Sequence, residues 1–251
     1  MRKCYPVVML IFSLLVLPFT KAASAEGPSG FKEIGLDFYI KGEYGKAAEA
    51  LEKALEEDPD GFIFYETLAL SYRGIKDDTK AIYYMHQAVE KNPDKVGLKA
   101  TLGQMYFLKE EYDKAAVYFE QALEQDSSQS NLYAMAGYSY ANMEKHDEAV
   151  TYLAKAVELD PDDAPLNTAL GNSYLALEDD VNAVKYLEQS VSIDPSQTDV
   201  FLSLGTAYIA LKDFDKAKER LTQAQEMFNS EGNTEGVSQV EELLKVMEEV
   251  S

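Results

Sequence analysis

The sequence predicts an all-α solenoid of antiparallel helix pairs, and three observations carry that prediction. A pattern of large and small residues returns at a step of 34: Phe31, Ile34, Gly35, Phe38, Ala47, Leu51, Ala54 and Pro59 are followed by Tyr65, Leu68, Ala69, Tyr72, Ala81, Met85, Ala88 and Pro93. Phe31, Ile34, Gly35 and Phe38 fall at i, i+3, i+4 and i+7, on one face of a first helix, helix A. Ala47, Leu51 and Ala54 fall at i, i+4 and i+7 and mark a face of a second, helix B. Gly35, Ala47 and Ala54 are small where the two helices approach, while Phe31 and Phe38 fill the space beside them. An isolated pair has two apolar sides and one partner helix, so it must stack on a neighbour.

Between the helices, Lys41-Gly42-Glu43-Tyr44 reads as a short turn, and Asp58-Pro59-Asp60-Gly61 ends helix B at a residue that cannot continue it. These residues resemble the tetratricopeptide repeat, whose pattern asks for a large residue at position 4, Leu-Gly at 7 and 8, Tyr at 11, Ala at 20, an aromatic or Leu at 24, Ala at 27 and Pro at 32. Six units match in unbroken register, over residues 28–61, 62–95, 96–129, 130–163, 164–197 and 198–231. The third gives Leu102, Gly103, Tyr106, Ala115, Phe119 and Ala122, and the fourth Tyr133, Gly137, Tyr140, Ala149, Leu153, Ala156 and Pro161. The fifth gives Leu170, Gly171, Tyr174, Ala183, Leu187 and Pro195, and the sixth Phe201, Leu204, Gly205, Tyr208, Ala217, Leu221 and Ala224. Lys99 and Asn167 depart from the large residue, Ser127 and Asn229 from Pro, and Ser190 from Ala; a looser junction is expected over 125–130. The resemblance implies a right-handed superhelix with helix A on its concave side, and protein binding as the activity.

From the N-terminus, Met1-Arg2-Lys3 is basic, Tyr5 to Thr20 is apolar and Ala23-Ser24-Ala25 is small, the layout of a signal peptide over residues 1–25 with cleavage after Ala25. The alternative is a retained membrane anchor, but the apolar run contains Pro6 and Pro18 and is shorter than the roughly 20 residues a spanning helix needs. Cys4, the one cysteine, precedes the apolar run, which argues against lipidation and leaves the mature chain without thiol chemistry. Removal of residues 1–25 takes away Arg2, Lys3 and Lys21 and moves the formal charge from −21 to −24. No Asn lies in an Asn-X-Ser/Thr site, which leans towards a bacterial envelope, so the expected location is exported, periplasmic or extracellular. Residues 26–30 read as a flexible leader, and the six units as one domain with no linker long enough to split it.

After the sixth unit, Asn229-Ser230-Glu231-Gly232-Asn233 reads as a loop. Residues 237–250 form an amphipathic helix with Val240, Leu243, Leu244, Met247 and Val250 on one face. Its expected role is to cap the last helix B; a binding helix is the alternative.

In the tetratricopeptide family, positions 2, 5, 9 and 12 of helix A face the concave groove. Carried over, the candidate groove residues are Leu36, Tyr39, Leu70, Arg73, Gln104, Phe107, Asn131, Tyr138, Asn172, Leu175, Thr206 and Ile209. Lys32, Arg73, Glu66 and Asp199 are the charged residues at these positions, so the groove is near neutral. The acid gathers instead on helix B, the turns and the cap, as in Glu49, Glu56, Glu124 and Glu249. Such a groove fits an extended or helical peptide, with Phe107 and Tyr138 as anchors and Gln104, Asn131 and Asn172 bonding its backbone. Family members that clamp chaperone C-termini carry Lys and Asn at groove positions 5 and 9 of the first repeat; Lys32 and Leu36 do not complete that pattern.

Tyr84, Tyr118, Tyr152 and Tyr186 recur on helix B, where the family has an aromatic for packing, and the acidic charge disfavours nucleic acid. His86 and His146 lack a second ligand at helical spacing, no Gly-rich phosphate loop occurs, and Asp160-Pro161-Asp162-Asp163 reads as a helix end. The chain is therefore read as no enzyme, with no cofactor or metal. The sequence points to an exported interaction scaffold or assembly factor. The alternatives are a membrane-tethered adaptor that keeps its N-terminal segment and a non-catalytic regulatory subunit of an envelope enzyme. Self-association, with another copy's cap in the groove, is also open.

Overall fold

The computed structural model describes residues 30–59 and 61–250; the signal-peptide reading and the leader up to Ser29 lie outside them. Among the described residues there are thirteen α-helices and no strand. They belong to two compact units, one ending at Lys91 and one beginning at Asn92, so the division falls between the second and third repeats, where the sequence shows no break. The first unit holds α1 (Gly30–Ile40), α2 (Tyr44–Glu57), α3 (Phe62–Gly74) and α4 (Asp78–Lys91). The second holds α5 (Val96–Leu108), α6 (Tyr112–Leu123), α7 (Ser130–Asn142), α8 (His146–Leu159) and α9 (Ala164–Ala176). It continues through α10 (Asp180–Ile193), α11 (Thr198–Ala210), α12 (Phe214–Glu231) and α13 (Thr234–Val250). Gly30, read as leader, opens α1.

Odd helices from α1 to α11 are the predicted A helices, even ones the B helices, and α13 the cap. Each odd helix from α1 to α11 ends in the same hydrogen-bonded turn. The amides of Glu43, Asp77, Glu111, Lys145, Asp179 and Asp213 donate back to the carbonyls of Phe38, Tyr72, Tyr106, Tyr140, Tyr174 and Tyr208 at 2.9–3.0 Å. This closure requires a left-handed residue just before the donor. Gly42 takes that role in the first repeat at φ 75°, but Lys76, Glu110, Glu144, Glu178 and Lys212 adopt it at φ 59–65° in the others. Asp77, Asp179 and Asp213 then cap the following helix, accepting from the amides of Lys80, Asn182 and Lys216 at 3.0, 3.2 and 3.3 Å.

Within each repeat the glycine at position 8 sets the helix separation. A β-carbon at Gly35, Gly137 or Gly171 would stand 2.7, 2.6 or 2.7 Å from the Cγ of Leu51, Leu153 or Leu187. The second repeat has Ala69 instead, and there position 24 is Met85; both are wholly buried. An unbranched thioether can bend around the methyl group where a leucine cannot. Leu102, Leu153, Leu170, Leu187 and Leu204 are also wholly buried, and each contributes about 2 kcal/mol of burial.

The departures from the repeat pattern have local consequences. Where Ser127 replaces the proline stop, the Asp126 carboxylate holds the following residues, accepting from the Ser128 amide at 3.0 Å, the Ser128 hydroxyl at 2.6 Å and Gln129 Nε2 at 2.5 Å. The junction expected to be loose is thus tied, and these bonds, Gln129 first, lower the Asp126 carboxyl to about 2. Asn229 likewise replaces Pro, and α12 runs on through Glu231 instead of entering a loop at Asn229. Gly232, at φ 70°, ends it, and Asn233 caps α13 through a 3.0 Å bond from the Gly236 amide. The last helix thus starts at Thr234, three residues ahead of its sequence-based boundary. It packs on α12 and also reaches α11. Val240 is wholly buried in a cluster with Phe201, Leu221, Ala224 and Phe228, and Met247 joins the cluster of Val200, Leu204 and Tyr208, so the capping role is realised.

Candidate functional site

Within each unit successive odd helices touch one another, α1 with α3 and then α5, α7, α9, α11 and α13 in sequence, while successive even helices do not approach to the same degree among the described residues. The odd row is therefore the inner side of each stack. It carries all twelve candidate groove residues.

In the first unit Leu36 and Tyr39 lie on α1, Leu70 and Arg73 on α3. Tyr39 packs its ring 5.7 Å from Tyr44. Its hydroxyl is raised above the usual tyrosine value by burial and by Tyr44, against the lowering effect of the Arg73 cation. Arg73 itself is exposed, while Leu36 and Leu70 are half-buried.

In the second unit the expected anchors are less open than the sequence suggests. Phe107 is half-buried and meets Tyr112 edge-on, ring centres 5.2 Å apart. Tyr138 packs against the cluster containing Leu166 and Leu170, and burial raises its hydroxyl pKa, with the Asp163 charge adding to the effect. Leu175 and Ile209 are half-buried against the cluster of Val200 and Leu204. Each of these side chains is half-buried, with part of its surface spent on packing.

The polar members are the more available ones. Gln104 on α5, Asn131 on α7 and Asn172 on α9 have side-chain amides with no hydrogen-bond partner among the described residues, and Asn131 is exposed. Thr206 differs, bonding the Leu202 carbonyl of its own helix at 3.0 Å. Thr168, at another inner position, turns away to Ser190 Oγ at 2.7 Å, so the Ser190 departure is matched by a hydroxyl partner. Asp199 is the one acid among these inner positions of the second unit, and burial followed by Glu231 raises its carboxyl above the ordinary value.

The even helices carry a feature that the sequence reading missed. Tyr72 and Tyr84 stack at 5.5 Å with planes 8° apart, Tyr106 and Tyr118 at 5.6 Å and 6°, Tyr140 and Tyr152 at 5.4 Å and 10°, Tyr174 and Tyr186 at 5.7 Å and 4°. The packing role expected of the helix B tyrosines is thus met by the helix A tyrosine of the same repeat. Two pairs are also tied to the preceding repeat through one carboxylate. Glu52 Oε1 accepts from Tyr72 and Tyr84 at 2.5 and 3.1 Å, and Glu120 Oε1 from Tyr140 and Tyr152 at 2.6 and 2.7 Å. Glu188 repeats the arrangement with Tyr208 at 2.9 Å and Arg220 in the second tyrosine's place. The signal was a glutamate recurring at twice the repeat length. Burial first, then the bonded Glu120, pushes Tyr140 up to about 12, and burial and Glu188 do the same for Tyr208.

His146 occupies the turn slot of its repeat half-buried. Among the described residues no group of three His, Cys, Asp or Glu side chains is placed to hold a metal ion, and no helix is long and apolar enough to cross a membrane.

Family models described as tetratricopeptide repeat match residues 33–96, 97–129, 130–163 and 174–231. Among solved structures, the protein YrrB, described as a TPR protein with an unusual peptide-binding site, is 27% identical with a TM-score of 0.65, over 72% of this chain and 93% of its own. The MamA protein superposes with the same TM-score at 20% identity, over 68% of this chain and 93% of its own, a likeness of fold. No curated protein matches the chain in sequence.

Proposed function

Because the chain belongs to the tetratricopeptide repeat family and binds proteins as a scaffold, we propose that it is an exported assembly factor that holds a partner peptide along the inner face of its odd helices. The observation that carries this reading is the set of unpartnered amides on three neighbouring helices, Gln104, Asn131 and Asn172, between half-buried Phe107, Tyr138 and Leu175. A peptide backbone carries a donor and an acceptor at each residue, which such amides can satisfy. Apolar flanks exclude water from those bonds and so strengthen them. The similarity to YrrB supports a peptide as the ligand class. Export rests on the basic, apolar and small-residue order of residues 1–25; a native N-terminus at Glu26 supports it, and one at Met1 supports a retained tether.

The test is affinity capture from envelope extract with the protein and with an Asn131→Glu, Asn172→Glu variant checked for unchanged helicity. These positions change the face without entering the core, whereas Tyr138→Glu would also damage packing against Leu166 and Leu170. A protein retained by the first and lost by the second places binding on the inner face. Equal retention by both contradicts the proposed site.

A further inference from the structure

The first unit contains an open cleft of about 400 Å³ between α2, α3 and α4, lined by Glu52, Glu56, Tyr65, Tyr83, Tyr84 and Gln87. We propose that this cleft takes the cationic head of a lysine or arginine side chain presented by a partner polypeptide. It is separate from the inner face of the odd helices and independent of what that face binds.

Its walls are aromatic and its rim is anionic. Tyr84 stands edge-on to Tyr83 at 5.1 Å and tilted to Tyr65 at 6.4 Å, so three electron-rich rings converge on one space. Tyr83 is 59% exposed, and at steps of 34 its counterparts are Glu49, Val117, Thr151, Lys185 and Glu219. The repeat does not need an aromatic there for packing. Glu52 is occupied by Tyr72 and Tyr84, with Lys80 Nζ at 3.7 Å. Lys80 lies over the Tyr72 ring at 4.6 Å and donates to its hydroxyl at 3.0 Å, so its ammonium is committed to the Tyr72 side. Glu56 is exposed and has no ion-pair partner among the described residues. A cation over tyrosine faces beside an unneutralised carboxylate gains from both the ring quadrupole and the charge.

The chain's own repeats indicate what belongs there. At twice the repeat length the same positions are Glu120, Glu124, Tyr133, Thr151, Tyr152 and Lys155. Gln87 is replaced by a lysine whose ammonium is within electrostatic reach of Tyr133 and pairs with Glu158 at 2.8 Å. At four times the length, Arg220 stands in the place of Tyr84. Its Nε and Nη2 donate to Glu188 Oε1 and Oε2 at 3.2 and 3.1 Å. Each later site thus has a cationic side chain at the Gln87 or the Tyr84 position; the first has neutral side chains at both and an added ring, its Lys80 being turned to Tyr72. Both internal examples are side-chain heads on a backbone. An open cleft would also bury too little of a small unattached cation, which points to a residue of a partner polypeptide.

The test is a titration followed by NMR of the protein carrying ring-labelled tyrosine. The probes are acetyl-Gly-Lys-Gly-amide, acetyl-Gly-Arg-Gly-amide, the neutral norleucine analogue and tetramethylammonium chloride. The expected result is saturable shifts of Tyr65, Tyr83 and Tyr84 with the lysine or arginine peptide and none with the norleucine analogue. Affinity should fall about tenfold in Glu56→Gln and in Tyr83→Ser. Gln87→Lys, which reproduces the second site, should abolish the shifts while leaving the thermal melting unchanged. Absence of saturable shifts, equal binding of the norleucine analogue, or unchanged affinity in all three variants overturns the proposal. So does binding of tetramethylammonium alone, which would make the ligand a free organic cation.

Discussion

Gly137 and Leu153 illustrate how a single contact sets the geometry of a repeat. A methyl group at Gly137 would overlap Leu153 Cγ, so Gly137→Ala is expected to lower stability by about 1–2 kcal/mol, overpacking outweighing the gain in helix propensity. Adding Leu153→Met should recover much of that loss, because Ala69 and Met85 already form the matched pair in the second repeat. Thermal melting of the single and double variants checks both steps; an unaltered double variant relative to the single one refutes the pairing. Glu144 makes the opposite case. It holds φ at 59°, where Gly42 needs no side-chain accommodation, so Glu144→Gly should stabilise the protein by about 0.5–1 kcal/mol in denaturant unfolding. The glycine contacts were legible in the sequence because a small residue recurs at position 8 and a large apolar one at position 24 of every repeat. The left-handed turns were not, because Lys and Glu fill positions that backbone geometry would give to Gly.

At the level of elements, the bond from one helix B to the tyrosine pair of the next repeat joins neighbouring pairs. Glu120→Gln should bring the Tyr140 titration down from about 12 while leaving it above the ordinary value of 10, because burial is the larger cause. An alkaline absorbance titration reads this directly, and an unmoved Tyr140 would show that the carboxylate has no part in it. The sign for stability follows from the same shift. Tyr140 and Tyr208 keep their protons in the fold to about 12 but lose them near 10 in the unfolded chain, so their contribution is full below pH 10 and is lost as pH rises towards 12. Periodicity revealed the helices and the cap, since both depend on apolar spacing. It did not reveal the glutamate bridge, whose members are hidden among 44 acidic residues. Nor did it anticipate that Asp126 takes over from a missing proline, or that a helix without its proline at Asn229 runs on to Glu231.

For the whole molecule, the sequence identified stacked antiparallel helix pairs, and in each unit its candidate residues lie on the odd helices. It did not show how deeply each would be covered, because helical spacing specifies a face and not the reach of the neighbouring helix. Phe107 and Tyr138 consequently serve the core as well as the surface, and the amides of Gln104, Asn131 and Asn172 emerge as the more distinctive feature. The division after Lys91 was also illegible, since Asn92-Pro93-Asp94 resembles the other junctions in composition. The most direct measurement of the central claim is hydroxyl-radical footprinting of the protein with and without its captured partner. The account predicts protection of Phe107, Tyr138 and Leu175 on α5, α7 and α9, with Val117, Val181 and other exposed residues of the even helices unchanged. Protection confined to the even helices or to α13 would contradict it.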